Sequence, residues 1–329
     1  MRRRALTGIQ PSGTPHIGNY LGAIRPGLAM QESHDCFFFI ASYHSLTSQR
    51  DPVALREQIR VVAASWLALG LDPERTVLWA QHDVPEVTEL TWVLSTITSK
   101  GLLDKGHAFK DAASKGNADV VNVGLFLYPV LMAADILAFN SHVVPVGQDQ
   151  KQHLEMTRDI AERFNRLYGD TLQVPDPLIQ EEVATVVGLD GQKMSKSRGN
   201  GIEIWLPPKQ LRKKVMAIAT DSTPMEEPKD PTTCTVFKLY SLFAAPEDTL
   251  ALAERYRGGN FGYGHAKQAL FEVLDAHFAE PRERYEAILA HPSRIDEVLD
   301  AGALRARAVA RETLSQVRDR VGLGRMRRA

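Results

Sequence analysis

Two cysteines in 329 residues, Cys36 and Cys234, are too few and too far apart for a disulfide framework or a cysteine-based metal site. A reducing compartment suits them. Excess charge of one sign is equally scarce: 39 basic side chains stand against 40 acidic ones, for a net charge of −1. That excludes a surface coated in cations for DNA, although a local cluster can still meet RNA. No apolar run reaches the roughly 20 residues of a membrane-spanning helix. Met-Arg-Arg-Arg at the start has no apolar segment behind it, so no signal peptide is read. Internal repeats and low-complexity tracts are also missing. What remains, 44% hydrophobic and 24% charged, is the composition of a soluble globular chain with a sizeable core, and a cytoplasmic location is expected.

The N-terminal half alternates strand and helix signals. Residues 36–42 form a continuous apolar run suited to a strand buried on both faces. Asp51 and Pro52 then open a helix that Gly70 stops. Thr76 to Gln81 reads as a second strand, 142–147 as another that Pro145 demotes to an end or edge, and 150–168 as a helix. The alternation predicts an α/β fold, a doubly wound parallel sheet whose ligands sit outside the carboxyl ends of the strands. Texture changes after Asn200, and the remainder reads almost entirely helical. The expected division is a Rossmann-like catalytic domain over 1–204, with a helical insertion around 83–140 and a loop at 190–200, followed by an all-helical domain over 205–329.

Two short stretches carry chemistry. Residues 8–19 read Gly-Ile-Gln-Pro-Ser-Gly-Thr-Pro-His-Ile-Gly-Asn and place small residues, His16 and Asn19 where a strand turns into a helix. Free N–H groups and the positive end of the dipole make such a turn a phosphate site, and Gly18 allows close approach. The plainer reading is a capped helix with a solvent-facing histidine. Ile17, Leu21, Ile24 and Leu28 continue at helical spacing, and Pro26 predicts a kink or a restart. Residues 193–197 read Lys-Met-Ser-Lys-Ser between Gly191 and Gly199. Lys193 and Lys196 there suit the charge that grows on departing pyrophosphate, with Ser195 and Ser197 as further donors. Between the two lies Leu131-Met132-Ala133-Ala134-Asp135-Ile136-Leu137. Its acid is either a helix-surface group paired with a base or an acceptor for a ligand N–H in an apolar pocket with Met132 as a wall.

These stretches resemble the two signatures of class I aminoacyl-tRNA synthetases. Together with Tyr-Pro-x-Leu-Met-Ala-Ala-Asp-Ile-Leu at 128–137 and Val-Pro-Val-Gly-x-Asp-Gln at 143–150, they make the chain similar, over nearly its full length, to the bacterial tryptophanyl-tRNA synthetase family. The resemblance implies a tryptophan–tRNA ligase that forms tryptophanyl-adenylate from ATP and transfers the acyl group to tRNA(Trp). Magnesium would arrive on the nucleotide without a dedicated metal site, the enzyme would be a homodimer, and the helical domain would read the anticodon. The alternatives are a tyrosine-specific relative and a paralogue with relaxed or lost aminoacylation that serves as an RNA- or protein-binding module.

Residue by residue, the resemblance implies that Asp135 accepts the indole N–H while Met132 packs on the ring. Tyr128 and Gln150 orient the α-amino group, His44 lies near the carboxylate, and Leu6 closes the pocket. Gln10, Pro11, Ser12, Gly18 and Asn19 line the ATP site. Gly147, Gln148 and Asp149 meet the ribose, and Val186 and Met194 flank the adenine. His16, Asn19, Lys193, Ser195 and Lys196 act on the phosphates, with Ser197 beside them. The chain departs from the pattern at Leu6 (usually Phe), at Ser42-Tyr43-His44 (usually Asp-Gln-His), at Ala108 and Ala112 (usually Gln and Lys), and at Arg198-Gly199-Asn200. Leu6 and Ala108 among them predict a pocket tolerant of ring-substituted tryptophans.

Overall fold

Chemically, the run Asp-Cys-Phe-Phe-Phe-Ile has no polar face, so it must be a strand covered on both sides. In the computed structural model, which describes residues 2–105, 122–146, 151–179 and 186–324, it is β2 (Asp35–Ile40). It pairs in parallel with β1 (Arg4–Ile9) on one side and β3 (Val77–Ala80) on the other. β4 (Val143–Val146) pairs with β1, and β5 (Asp176–Ile179) with β4, giving among the described residues one all-parallel sheet in the order β3-β2-β1-β4-β5. The direction of winding reverses at β1, the doubly wound arrangement that the alternating sequence predicts.

Pro145 does not make β4 an edge. The strand lies inside the sheet, but its register with β1 is confined to Ala5 opposite Val143, so Pro145 falls beyond that pairing and meets only Leu178 of β5. β5 is not among the strands expected from sequence, since Asp176 and Pro177 are poor strand formers; at the edge of the described sheet it tolerates a residue without an N–H.

The helices follow their caps. Asp51 accepts hydrogen bonds from the Val53 and Ala54 amides and starts α4 (Pro52–Ala68), and Gly70 closes it at φ +107°. Short helices α1 (Ile17–Asn19), α2 (Arg25–Met30) and α3 (Ser42–Ser45) precede it. A π-helical turn over Tyr20–Ile24 joins α1 to α2, so the expected break near Pro26 is a restart at Arg25. After β3 come a 3₁₀ turn (Gln81–Asp83), α5 (Glu86–Ile97), α6 (Lys100–Leu103) and α7 (Val123–Leu137). α8 (Lys151–Tyr168) precedes β5. None of the described helices is long and apolar enough to cross a membrane.

Contacts divide the chain elsewhere than at 204/205. One compact unit comprises Met1–Gly13, Pro26–Glu181 and His291–Ala329; the other comprises Thr14–Arg25 and Glu182–Ala290. The last described helix, α13 (Pro292–Arg320), therefore belongs with the sheet. A Cβ on its Gly302 would stand 1.8 Å from the Leu78 carbonyl oxygen of β3, so only glycine permits that approach. Glu86, 9% exposed, accepts from Arg307 and Arg311 of α13 at 3.0 and 2.8 Å. Burial by itself pushes this carboxyl up; the two guanidinium groups and a backbone donor outweigh it and hold the group below the usual range.

The second unit is built from α9 (Pro208–Met216), α10 (Thr235–Tyr240), α11 (Pro246–Gly258) and α12 (Tyr263–Leu289). Trp205 stacks on Tyr285 at 4.3 Å between centroids, and Tyr20 packs edge-on against Phe278 at 5.2 Å.

Candidate active site

An apolar helix that carries a single acid must answer for the desolvation of that charge. In α7 the acid is Asp135, 1% exposed, which removes the reading of a helix-surface acid. Its Oδ1 accepts from Gln81 Nε2 at 2.7 Å; Oδ2 accepts from the same nitrogen and from His44 Nε2, each at 2.8 Å. Burial drives the carboxyl up, and the donors from His44 and Gln81 pull it partly back. His44 sits on α3, at the carboxyl end of β2, and Gln81 on the turn that ends β3. Strand ends of a parallel sheet thus deliver both donors to one helix.

Tyr128, about two turns of α7 before Asp135, lies edge-on to His44 at 6.2 Å, and its hydroxyl contacts His153 Nε2 of α8. Burial pushes that phenol up to about 12. Met132 packs on the apolar cluster that includes Leu6, Ala133 and Ala134, so Leu6 of β1 and the acid-bearing helix belong to one core. Ser42, where the family's pattern has an acid, is buried and bonded to His82 Nδ1 at 2.9 Å. Gln81 and His153 are not among the residues predicted from sequence. Gln81 lies in a segment that reads only as a strand, and His153 in a helix marked only by its apolar spacing.

Beyond β1, Gln10, Pro11 and Ser12 line a small recess of about 220 Å³ with Ser45, Ser48, Gln49 and Gln58. A larger open groove of about 500 Å³, lined by charged side chains such as Lys105, Arg163 and Glu162, contains none of the predicted residues.

In the other unit the end of the first signature, from Thr14 on, meets the segment that carries the second. His16 is the N-cap of α1: its Nδ1 accepts from the Asn19 amide at 3.2 Å, and Asn19 Oδ1 accepts from the His16 amide at 3.1 Å. A ring that accepts at Nδ1 carries its proton on Nε2. The capped-helix reading therefore holds, but the histidine is 7% exposed and does not face solvent. Burial first, then the nearby Lys196 charge, lowers its pKa to about 4, so the ring is neutral at physiological pH. Gly18 serves a second purpose here, since a Cβ would lie 3.0 Å from the His16 ring. Its amide donates to Met194 Sδ at 3.4 Å.

The segment after the second signature clasps the first. Ile17 N–H donates to the Ile202 carbonyl at 2.9 Å and Ile204 N–H to the Pro15 carbonyl at 3.0 Å. The loop itself is tied by Asn200, 4% exposed. Its Oδ1 accepts from the Ser195 amide at 2.8 Å, and its Nδ2 donates to Asp190 at 2.7 Å and to the Lys193 carbonyl at 3.2 Å. Met194 N–H donates to the Val186 carbonyl at 2.8 Å, which brings the two residues expected at the adenine together. Ser195 and Ser197 hydroxyls are 2.8 Å apart. Lys196 is exposed as a residue, yet partial desolvation lowers its pKa to about 8. Gly147, Gln148, Asp149 and Gln150, like Ala108 and Ala112, lie outside the described residues.

The chain is similar to known proteins in sequence and fold. The family model described as tRNA synthetases class I (W and Y) matches residues 2–279. A tryptophan–tRNA ligase of Xanthomonas campestris is 49% identical over 98% of this chain and 77% of its own length. One from Campylobacter jejuni is 47% identical over 97% of this chain and all of its own. The crystal structure of the Campylobacter jejuni tryptophanyl-tRNA synthetase complexed with ADP and tryptophan superposes with a TM-score of 0.90, covering 97% of this chain and 100% of that one at 47% identity. The Mycoplasma pneumoniae enzyme reaches 0.83 at 31% identity, covering 98% and 99%.

Proposed function

The chain belongs to the tRNA synthetases class I (W and Y), and from that premise we propose that it is a ligase joining tryptophan to tRNA(Trp) at the expense of ATP. The amino-acid choice is carried by Asp135, a carboxylate sealed among apolar neighbours with its acceptor oxygens held by Gln81 and His44. Such a group suits an indole N–H, and the identity of 47–49% to tryptophan–tRNA ligases over nearly the whole chain favours tryptophan over tyrosine.

Adenylate formation is attack of the tryptophan carboxylate on the α-phosphorus of ATP with loss of pyrophosphate. The terminal ribose hydroxyl of the tRNA then takes the acyl group from AMP. The protein's part is positioning and electrostatics. His16, neutral with its proton on Nε2, donates to phosphate oxygens, and Asn19 fixes it through the cap. Lys193 and Lys196 meet the charge that accumulates on the leaving pyrophosphate, with Ser195 and Ser197 as lesser donors. Magnesium, carried on the nucleotide, shares that charge. Gln10, Pro11, Ser12, Gly18, Val186 and Met194 bound the nucleotide, and Gly147, Gln148 and Asp149 its ribose. Tyr128, Met132, Leu6, His44 and Gln150 bound the amino acid. The enzyme works in the cytoplasm as a homodimer, and the helices beyond 205 meet the tRNA.

The test is ATP–pyrophosphate exchange with each of the twenty amino acids, followed by charging of a bulk tRNA pool. Exchange with tryptophan alone and charging of one acceptor are expected. Preference for tyrosine, or exchange with none, would overturn the reading.

A further inference from the structure

We propose that Gln81 is a positioning residue for tryptophan selection: its amide, oriented by the Tyr43 backbone, holds the Asp135 carboxylate as an acceptor for the indole N–H. The inference rests on the reading of Asp135 given above. Gln81 is 1% exposed, and both ends of its amide are committed. Oε1 accepts from the Tyr43 N–H at 2.8 Å, while Nε2 donates to the two Asp135 oxygens at 2.7 and 2.8 Å. The amide cannot be turned over, because the flip would set an oxygen against a carboxylate and an NH₂ against an N–H.

The occupancy of the carboxylate is uneven. Among the described residues Oδ2 accepts two hydrogen bonds, from Gln81 and His44, and Oδ1 accepts one. Oδ1 therefore keeps acceptor capacity for a ligand donor. Both Gln81 contacts also favour the ionised acceptor over the protonated acid, in a place where burial favours the acid. An amide that straddles both oxygens further fixes rotation about the Cβ–Cγ bond. Removing it leaves a buried carboxyl with one donor and a freer orientation. The enzyme should then recognise the ring's shape but not its N–H.

The experiment measures kcat/KM in ATP–pyrophosphate exchange for tryptophan and for 3-benzothienylalanine, in which sulfur replaces the ring N–H. The wild type is expected to prefer tryptophan strongly, since sites that bond a substrate group reject analogues without it by up to roughly 10⁴. In Gln81→Met that preference should fall at least about tenfold, mainly through the KM for tryptophan, with the analogue's constants held within about twofold. Gln81→Glu has the same size and keeps an acceptor for Tyr43, and it should lose the preference as well. In an Asp135→Asn background, adding Gln81→Met should move the ratio no further, because the glutamine acts through the carboxylate. Equal losses for both substrates, or full preference in Gln81→Glu, would overturn the proposal and leave Gln81 a packing residue. A wild type indifferent to the sulfur analogue would instead remove Asp135 as the indole acceptor.

Discussion

At the scale of single residues, chemistry is set by how much water each charge has lost. Asp135 has lost all of it and is held by Gln81 and His44; Asp135→Ala takes away a charge-assisted bond worth about 1.5–3 kcal/mol. Tryptophan-dependent exchange should fall about 10–10²-fold while equilibrium binding of ATP stays as it was. Retention of wild-type kcat/KM would remove the residue from the site. Lys196 is a second case. With its pKa lowered to about 8 by desolvation, the ammonium is charged below that pH and neutral above it in the free enzyme. The profile of kcat/KM for ATP should therefore fall as pH rises through about 8. Lys196→Arg, always charged, should abolish that limb even where its rate is lower. The identity of these residues is legible in the sequence, because lysines between glycines and an acid in an apolar run are conspicuous. Their partners are not. Gln81 and His153 sit in segments with no unusual composition and acquire their roles only when strand ends and α8 come together.

Elements show the same division. α4, with Asp51 and Pro52 in front and Gly70 behind, has its bounds written in local caps, and β2 in an apolar run that nothing but burial on both faces explains. β5 is hidden because its pairing compensates for a proline that sequence rules place in a loop. The loop at 190–200 gives a test at this scale. Asn200 links its two ends, and Gly188 leaves room, since a Cβ there would stand 2.5 Å from the Asn200 side chain. Asn200→Ala should leave both lysines present but poorly aimed, lowering the single-turnover rate of adenylate formation by about tenfold or more, with a smaller change in the KM for ATP. Asn200→Asp should be worse, because it faces Asp190. The exchange Asp190→Asn with Asn200→Asp restores a donor opposite an acceptor and should recover part of the rate. No recovery in the double variant would mean that the pair does not set the loop.

For the molecule as a whole, texture is a poor guide to which parts cohere. The helical character of everything after 205 is plain from the sequence, yet α13 belongs with the sheet, through Gly302 on Leu78 and two arginines on Glu86. Contacts between residues as far apart as 221 and 225 positions leave no local signal. Charge is redistributed in the same way. Of the basic trio on α9, Lys214 is bonded to Glu203 and the Gly201 carbonyl, whereas Arg212 and Lys213 are exposed. Near the C-terminal end of the sequence, Arg318 is paired with Glu89, and Arg325, Arg327 and Arg328 lie outside the described residues. Replacing Arg212 and Lys213 by Gln should therefore weaken tRNA charging and flatten its salt dependence by about 0.7–0.9 in log–log slope for each phosphate no longer neutralised. Adenylate formation should change less than about twofold, and unaltered tRNA affinity would move the RNA surface elsewhere. The placement of α13 also bears on how the chain is made. At about 5–20 residues per second, the ribosome needs on the order of ten seconds between finishing β5 and finishing α13. Throughout that interval the nascent sheet carries β3 without α13 and Glu86 without its arginines, although every described strand has already been made. Completion of this unit waits on one late helix, and a transcript cut short before Pro292 would yield a sheet open at one side.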